Sequence, residues 1–220
     1  MKFQRMLLPA ALMLMGACKA APKPAASATA PAAKADSAAA MHGLELLPPR
    51  PKPEFTLTDT EGKPFDFKRD TRGYATLLFF GYTHCPDVCP VHMANIAAVL
   101  HNLPPTVSQK VKMVFVTTDP ERDTPKVLRA FLDKFDPGFI GLTGSPDEIL
   151  AAQAAAKIPA ATKEVPDTGG KPGEYFIGHA AFVFAYTPDG MGRFLYPFGI
   201  RQNDWAHDIP RLAEWATQGS

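Results

Sequence analysis

Ala75-Thr76-Leu77-Leu78-Phe79-Phe80-Gly81-Tyr82-Thr83-His84-Cys85-Pro86-Asp87-Val88-Cys89-Pro90 leads a continuous apolar run into two cysteines set four residues apart. An apolar run with no polar alternation predicts a strand over 75–82 that is covered on both faces. The strand gives way to a helix, so the sulfurs fall at the carboxyl end of a sheet, close to the positive end of a helix. That position favours thiolate over thiol. The helix has two possible starts. From Pro86, residues 85 and 89 lie one turn apart on one face. From Pro90, Cys89 becomes the cap and the proline costs no hydrogen bond, which makes this the preferred start.

Strands and helices alternate on either side of this junction. Phe55-Thr56-Leu57-Thr58 and Phe65-Asp66-Phe67 read as a hairpin turned at Gly62. Val111 to Thr117 is a second buried strand. A helix follows over 125–135, with Thr124 as its cap and Pro125 at its first position. Strand 139–143 and helix 146–156 come next, then an antiparallel pair, 180–186 and 193–198, turned at Pro188-Asp189-Gly190. A last helix runs over 203–217. The alternation predicts an α/β protein, with a mixed central sheet, helices on both faces and an N-terminal hairpin. The segment 157–178 is rich in Gly and Pro and long for a connection, which marks it as functional or mobile.

The chain has 220 residues and three cysteines, and the third, Cys18, sits apart from the pair. Lys2 and Arg5, the apolar run Met6 to Met15, and Met15-Gly16-Ala17-Cys18 resemble a bacterial lipoprotein signal. That likeness implies a signal peptide over 1–17 and lipidation of Cys18; an ordinary signal peptide or uncleaved anchor is the alternative. The apolar run is short beside the ~20 residues of a spanning helix. Residues 20–40 are almost all Ala, Pro, Lys and Ser, with nothing large to bury, and read as a flexible tether. The expected organisation is signal 1–17, lipid-anchored tether 18–45 and one folded domain 46–220, facing an exported space where free thiols tend to oxidise. A net charge of +1 without basic clusters argues against nucleic acid.

Cys85 and Cys89 can join as a disulfide or share a metal ion, and two thiolates underfill a metal site. Of the six histidines, His42, His101 and His207 read as solvated or structural, and His84 points away from Cys85 in an extended chain. His92 competes for the third place, three residues after Cys89. His179 is the best candidate, because it ends the Gly/Pro-rich segment and precedes a strand. Asp119 and Asp123 flank the end of the second buried strand. On a structural reading, Asp123 or Thr124 caps the next helix and Arg122 pairs with a carboxylate; on a functional one, Asp119 is placed to orient the histidine or to meet a basic partner.

Three motifs, Tyr82 to Pro90, Asp119-Pro120-Glu121-Arg122-Asp123-Thr124-Pro125 and Gly178-His179-Ala180, together resemble the Sco/SenC family of copper proteins. The likeness runs from about Phe55 to Trp215. It implies a thioredoxin-like fold, membrane attachment and delivery of copper to the dinuclear CuA centre of cytochrome c oxidase, and it maps the copper ligands onto Cys85, Cys89 and His179. The implied partners are the CuA-bearing oxidase subunit and a periplasmic copper donor, and the implied location is the periplasmic side of the inner membrane. Two thiolates and an imidazole suit Cu(I), and the nitrogen also admits Cu(II). The rival function is a thiol-disulfide oxidoreductase that keeps the oxidase cysteines reduced. Against it, three residues separate the cysteines where such enzymes have two, and Gly178-His179 stands where they place a proline.

Overall fold

The computed structural model describes residues 40–165 and 175–215. The expected signal, Cys18, most of the tether and part of the 157–178 segment lie outside the described residues.

The elements in chain order are β1 (Leu44–Pro51), β2 (Thr56–Asp59), β3 (Pro64–Asp66), α1 (Phe67–Asp70), β4 (Ala75–Gly81), α2 (Val88–Asn102), α3 (Pro105–Ser108) and β5 (Val111–Thr117). They continue as α4 (Pro125–Leu132), β6 (Ile140–Thr143), α5 (Pro146–Ala155), β7 (Thr162–Glu164), β8 (Phe176–Gly178), β9 (Phe182–Tyr186), β10 (Met191–Pro197) and α6 (Gln202–Ala213). Eight strands form one mixed sheet in the order β1-β10-β9-β4-β5-β6-β2-β3, and β7 pairs with β8 in a separate ribbon. β4 and β5 run parallel in continuous register from Ala75 opposite Val111 to Gly81 opposite Thr117, and β5 and β6 are parallel too. The remaining pairs in the large sheet are antiparallel.

The central strands are apolar throughout because each face of the sheet has its own core. Successive side chains point to opposite faces. Leu77 and Phe79 therefore join Met93 and Ile96 of α2, Leu128 of α4 and Trp205 of α6. Leu78 and Phe80 join Phe67 of α1 and Ile149 and Ala152 of α5. Each such Leu, Ile, Met or Phe side chain contributes about 1.5–3 kcal/mol on burial, which fixes β4 and, with it, the place where the chain leaves the sheet toward the cysteines.

The hairpin, with Gly62 at φ +83°, the strand over 111–117 and the cap of α4 match the sequence expectation. The start of the cysteine helix does not. α2 begins at Val88, and the Asp87 carboxylate accepts from the Val88 amide at 2.6 Å. Cys89 and Pro90 are thus the second and third helical residues. The proline is tolerated because the first four amides of a helix lack intrahelical acceptors. β9 starts at Phe182, two residues later than expected, and α4 and α6 end early. β1 was hidden by Pro48, Pro49 and Pro51, which an edge strand accommodates.

Leu78 is fully buried on the face away from α2. Leu78→Ala is expected to cost about 2–5 kcal/mol of stability, read as a lower urea midpoint, while the acid titration of the cysteine pair stays in place.

Candidate metal centre

The turn between β4 and α2 sets the two sulfurs against one another. The Cys85 amide donates to the Tyr82 carbonyl at 3.2 Å, and the Cys89 amide, in the first turn of α2, donates to Cys85 Sγ at 3.4 Å. Both cysteines are free thiols and buried. Gly81 makes room for this arrangement: a Cβ there would lie 2.8 Å from Cys89 Sγ and 2.6 Å from the Phe79 ring.

The turn is anchored from β5. Asp123 is fully buried and accepts hydrogen bonds from the Thr83 amide at 2.9 Å, the Thr83 hydroxyl at 2.5 Å and the Thr117 hydroxyl at 2.7 Å. Of the two residues expected to cap the next helix, Thr124 is the one that does so, its hydroxyl accepting from the Val127 amide. Asp119 makes no bond to a histidine. It pairs with Arg122 and accepts from the Tyr175 hydroxyl at 2.9 Å, while Arg122 donates to the Tyr175 carbonyl at 3.1 Å and lies 3.6 Å from the Tyr175 ring. Tyr175 directly precedes β8, so this cluster holds the ribbon that carries His179. No sequence motif marked Tyr175; its partner Asp119 lies 56 residues away.

His179 follows β8, and its Nε2 stands 3.6 Å from Cys89 Sγ. Its ring sits edge-on to Phe79 and Tyr82, at centroid distances of 5.7 and 5.6 Å. Nδ1 is 3.2 Å from the Ala180 carbonyl. With the proton on Nδ1 donated there, the Nε2 lone pair faces the sulfurs. Cys85 Sγ, Cys89 Sγ and a His179 ring nitrogen all lie within 4.8 Å of one another.

His92 does not join them. It is buried in α2 against Phe79, burial pulls its pKa down to about 4, and its Nε2 has no hydrogen-bond partner. His84 turns toward Thr83 and Asp123, and His101 pairs with Asp136 at 2.9 Å. His42 and His207, read from sequence as solvated or structural, both contact Asp208.

The sulfurs differ in acidity. The hydrogen bond from Cys89 is the largest influence on Cys85 and outweighs burial; His179 and the Cys89 amide add to it, and the Cys85 pKa is held down at about 4. Cys89 is driven the other way, first by burial and then by Cys85. The reduced pair at neutral pH is therefore one thiolate and one thiol.

A family model described as SCO1/SenC matches residues 46–214. A putative copper-binding protein of Stutzerimonas stutzeri is 34% identical over 150 residues, covering 67% of this chain and 71% of that protein. Mitochondrial protein SCO2 of Saccharomyces cerevisiae is 34% identical over 139 residues, covering 62% of this chain and 44% of the relative. The chain thus spans about half the length of the mitochondrial relatives it matches. Among solved structures, copper-bound ScoI of Bradyrhizobium japonicum aligns with TM-score 0.63 and 35% identity over 73% of this chain and 98% of its own. Apo Sco1 of Thermus thermophilus aligns with TM-score 0.65 and 32% identity over 81% and 96%. The architecture shared with these neighbours is the thioredoxin-like fold.

In a metal-free, reduced chain carrying Cys18→Ser, ultraviolet thiolate absorbance is expected to show one deprotonation near pH 4, from Cys85, with the second thiol still protonated above neutral pH. Cys89→Ala removes the main donor and moves the Cys85 titration upward. A wild-type pair titrating near the ordinary value of about 8.5 contradicts the geometry.

Proposed function

The chain belongs to the SCO1/SenC family, and on that footing we propose that it is a copper metallochaperone. It binds one copper through Cys85, Cys89 and His179 and delivers it to the CuA centre of cytochrome c oxidase. The observation that carries this reading is the convergence of two sulfurs and one imidazole nitrogen within 4.8 Å. Metal–ligand bonds of about 2.0–2.3 Å place the donors around one ion roughly 3.5–4 Å apart, and the 3.6 Å between Cys89 Sγ and His179 Nε2 is of that size. The donor set is soft, which selects Cu(I) over harder ions, and the imidazole makes Cu(II) acceptable as well.

Loading and release follow from the chain's own groups. Cys85 is already a thiolate at neutral pH, so binding displaces a proton chiefly from Cys89. His179 is the more accessible donor, Cys85 is 8% exposed and Cys89 is completely buried. A ligand from the receiving subunit therefore displaces His179 first, then Cys85, and Cys89 last. Transfer is ligand exchange, and no covalent intermediate is required.

The organisation proposed around this site is a signal over 1–17, a lipid on Cys18, a tether over 18–45 and the copper domain over 46–220, held on the periplasmic side of the inner membrane. Among the described residues no helix is long and apolar enough to cross a membrane. The tether lets the domain reach an oxidase subunit and a periplasmic copper donor.

One observation favours a second reading, thiol-disulfide exchange with the oxidase cysteines: the Cys85 thiolate stands beside the Cys89 thiol. Such exchange needs both sulfurs but not the imidazole. A Cu(I) competition assay on reduced protein separates the two. His179→Ala is expected to weaken Cu(I) binding by at least about tenfold, or ~1.4 kcal/mol, while leaving disulfide exchange intact. Unchanged affinity contradicts the metallochaperone assignment.

A further inference from the structure

Far from the cysteines in sequence, a second set of donor atoms converges where β1 and α6 meet. His42, two residues before β1, and His207, in α6, direct their Nδ1 atoms at the same carboxylate oxygen, Asp208 Oδ1, at 2.9 and 2.6 Å. The two rings stand 4.7 Å apart and nearly perpendicular, at 88°. The other oxygen, Asp208 Oδ2, accepts from the His42 amide at 2.7 Å, the Gly43 amide at 3.3 Å and the Tyr196 hydroxyl at 2.9 Å. The carboxylate is thus oriented by donors on one side and presents its remaining oxygen to two imidazoles. Asp208 is buried, but the His42 and His207 side chains are 39% and 23% exposed, which gives an ion a way in.

We propose that His42, His207 and Asp208 form a second metal site for a first-row divalent ion, Cu(II) above all. The ion takes the two Nδ1 atoms and Oδ1, with water completing its coordination. Two imidazole nitrogens and one carboxylate oxygen suit Cu(II), Ni(II) and Zn(II), and of these Cu(II) binds tightest. Each neutral imidazole moves its proton from Nδ1 to Nε2 on binding, so the rings release no net proton. The N–H so formed on His42 faces Asp204 Oδ1, now 3.7 Å from Nε2, which supplies the outer carboxylate that metal-bound histidines commonly use. The bound ion ties the start of β1 to α6, and it does so without any sulfur donor.

The test uses the full chain with Cys18→Ser, Cys85→Ser and Cys89→Ser, which removes every thiolate, titrated with Cu(II) at neutral pH. The expected result is one Cu(II) per chain, with a tetragonal electron paramagnetic resonance signal showing nitrogen coupling and no thiolate charge-transfer band, and weak competition by Zn(II). His42→Ala and His207→Ala should each weaken binding by at least about tenfold. Proton spectra of the same chain without these two substitutions give an answer that does not depend on their folding: substoichiometric Cu(II) should broaden the His42 and His207 ring resonances first. Absence of stoichiometric binding, affinity unaltered by both substitutions, or broadening that begins at other histidines overturns the proposal.

Discussion

A buried carboxylate with three hydrogen bonds and no cationic partner among those bonds, Asp123, ties the cysteine turn to the neighbouring strand. It takes two donors from Thr83 on the turn and one from Thr117 at the end of β5. Because β4 and β5 are parallel and in continuous register, both chain segments leave the sheet at the same edge, and one side chain reaches both. The turn after Thr83 has no regular structure until Val88, so without this anchor little would fix the height of Cys85 over the sheet. The first turn of α2 then sets the distance between the sulfurs, through the Cys89 amide on Cys85 Sγ. Removing a partner from a buried network of this kind leaves the other groups unsatisfied, which costs more than the bond itself is worth.

The histidine depends on a different device. His179 directly follows the short β7–β8 ribbon, which lies outside the large sheet. The ribbon is attached to the loop after β5 by the Tyr175 ring, which lies against Arg122 and Lys163 and donates its hydroxyl to Asp119. One loop, 118–124, therefore sets both halves of the centre: Asp123 positions the sulfurs and Asp119 with Arg122 positions the imidazole's support. Within the ribbon, β7 is exposed along its length and Ile177 of β8 is the residue buried in the core; segments with few buried apolar contacts open at low cost.

The sequence was most legible where local signals and tertiary demands agree. The apolar runs of β4 and β5 need two covered faces, Thr124 and Pro125 together specify a helix start, and the cysteine spacing with a distant histidine marks the centre. It was least legible where one local rule competed with another. Pro90 is compatible with the first or the third helical position, and the side chain that decided between them, Asp87, looks unremarkable in a turn. The prolines of β1 argue against a strand until its edge position is known. The roles of Asp119 and Asp123 depend on partners 56 and 40 residues away, and the grouping of His42 with Asp208 spans 166 residues. No spacing rule reaches that far.

The central claim is that a single ion is held by both sulfurs and one imidazole. X-ray absorption at the copper edge of the Cys18→Ser chain, loaded with one equivalent of Cu(I), measures that coordination directly. The account predicts a shell of two sulfurs and one nitrogen with the outer-shell scattering of an imidazole ring, reduced to sulfur without imidazole in His179→Ala. A wild-type shell containing sulfur alone, or one built from nitrogen and oxygen, would contradict it.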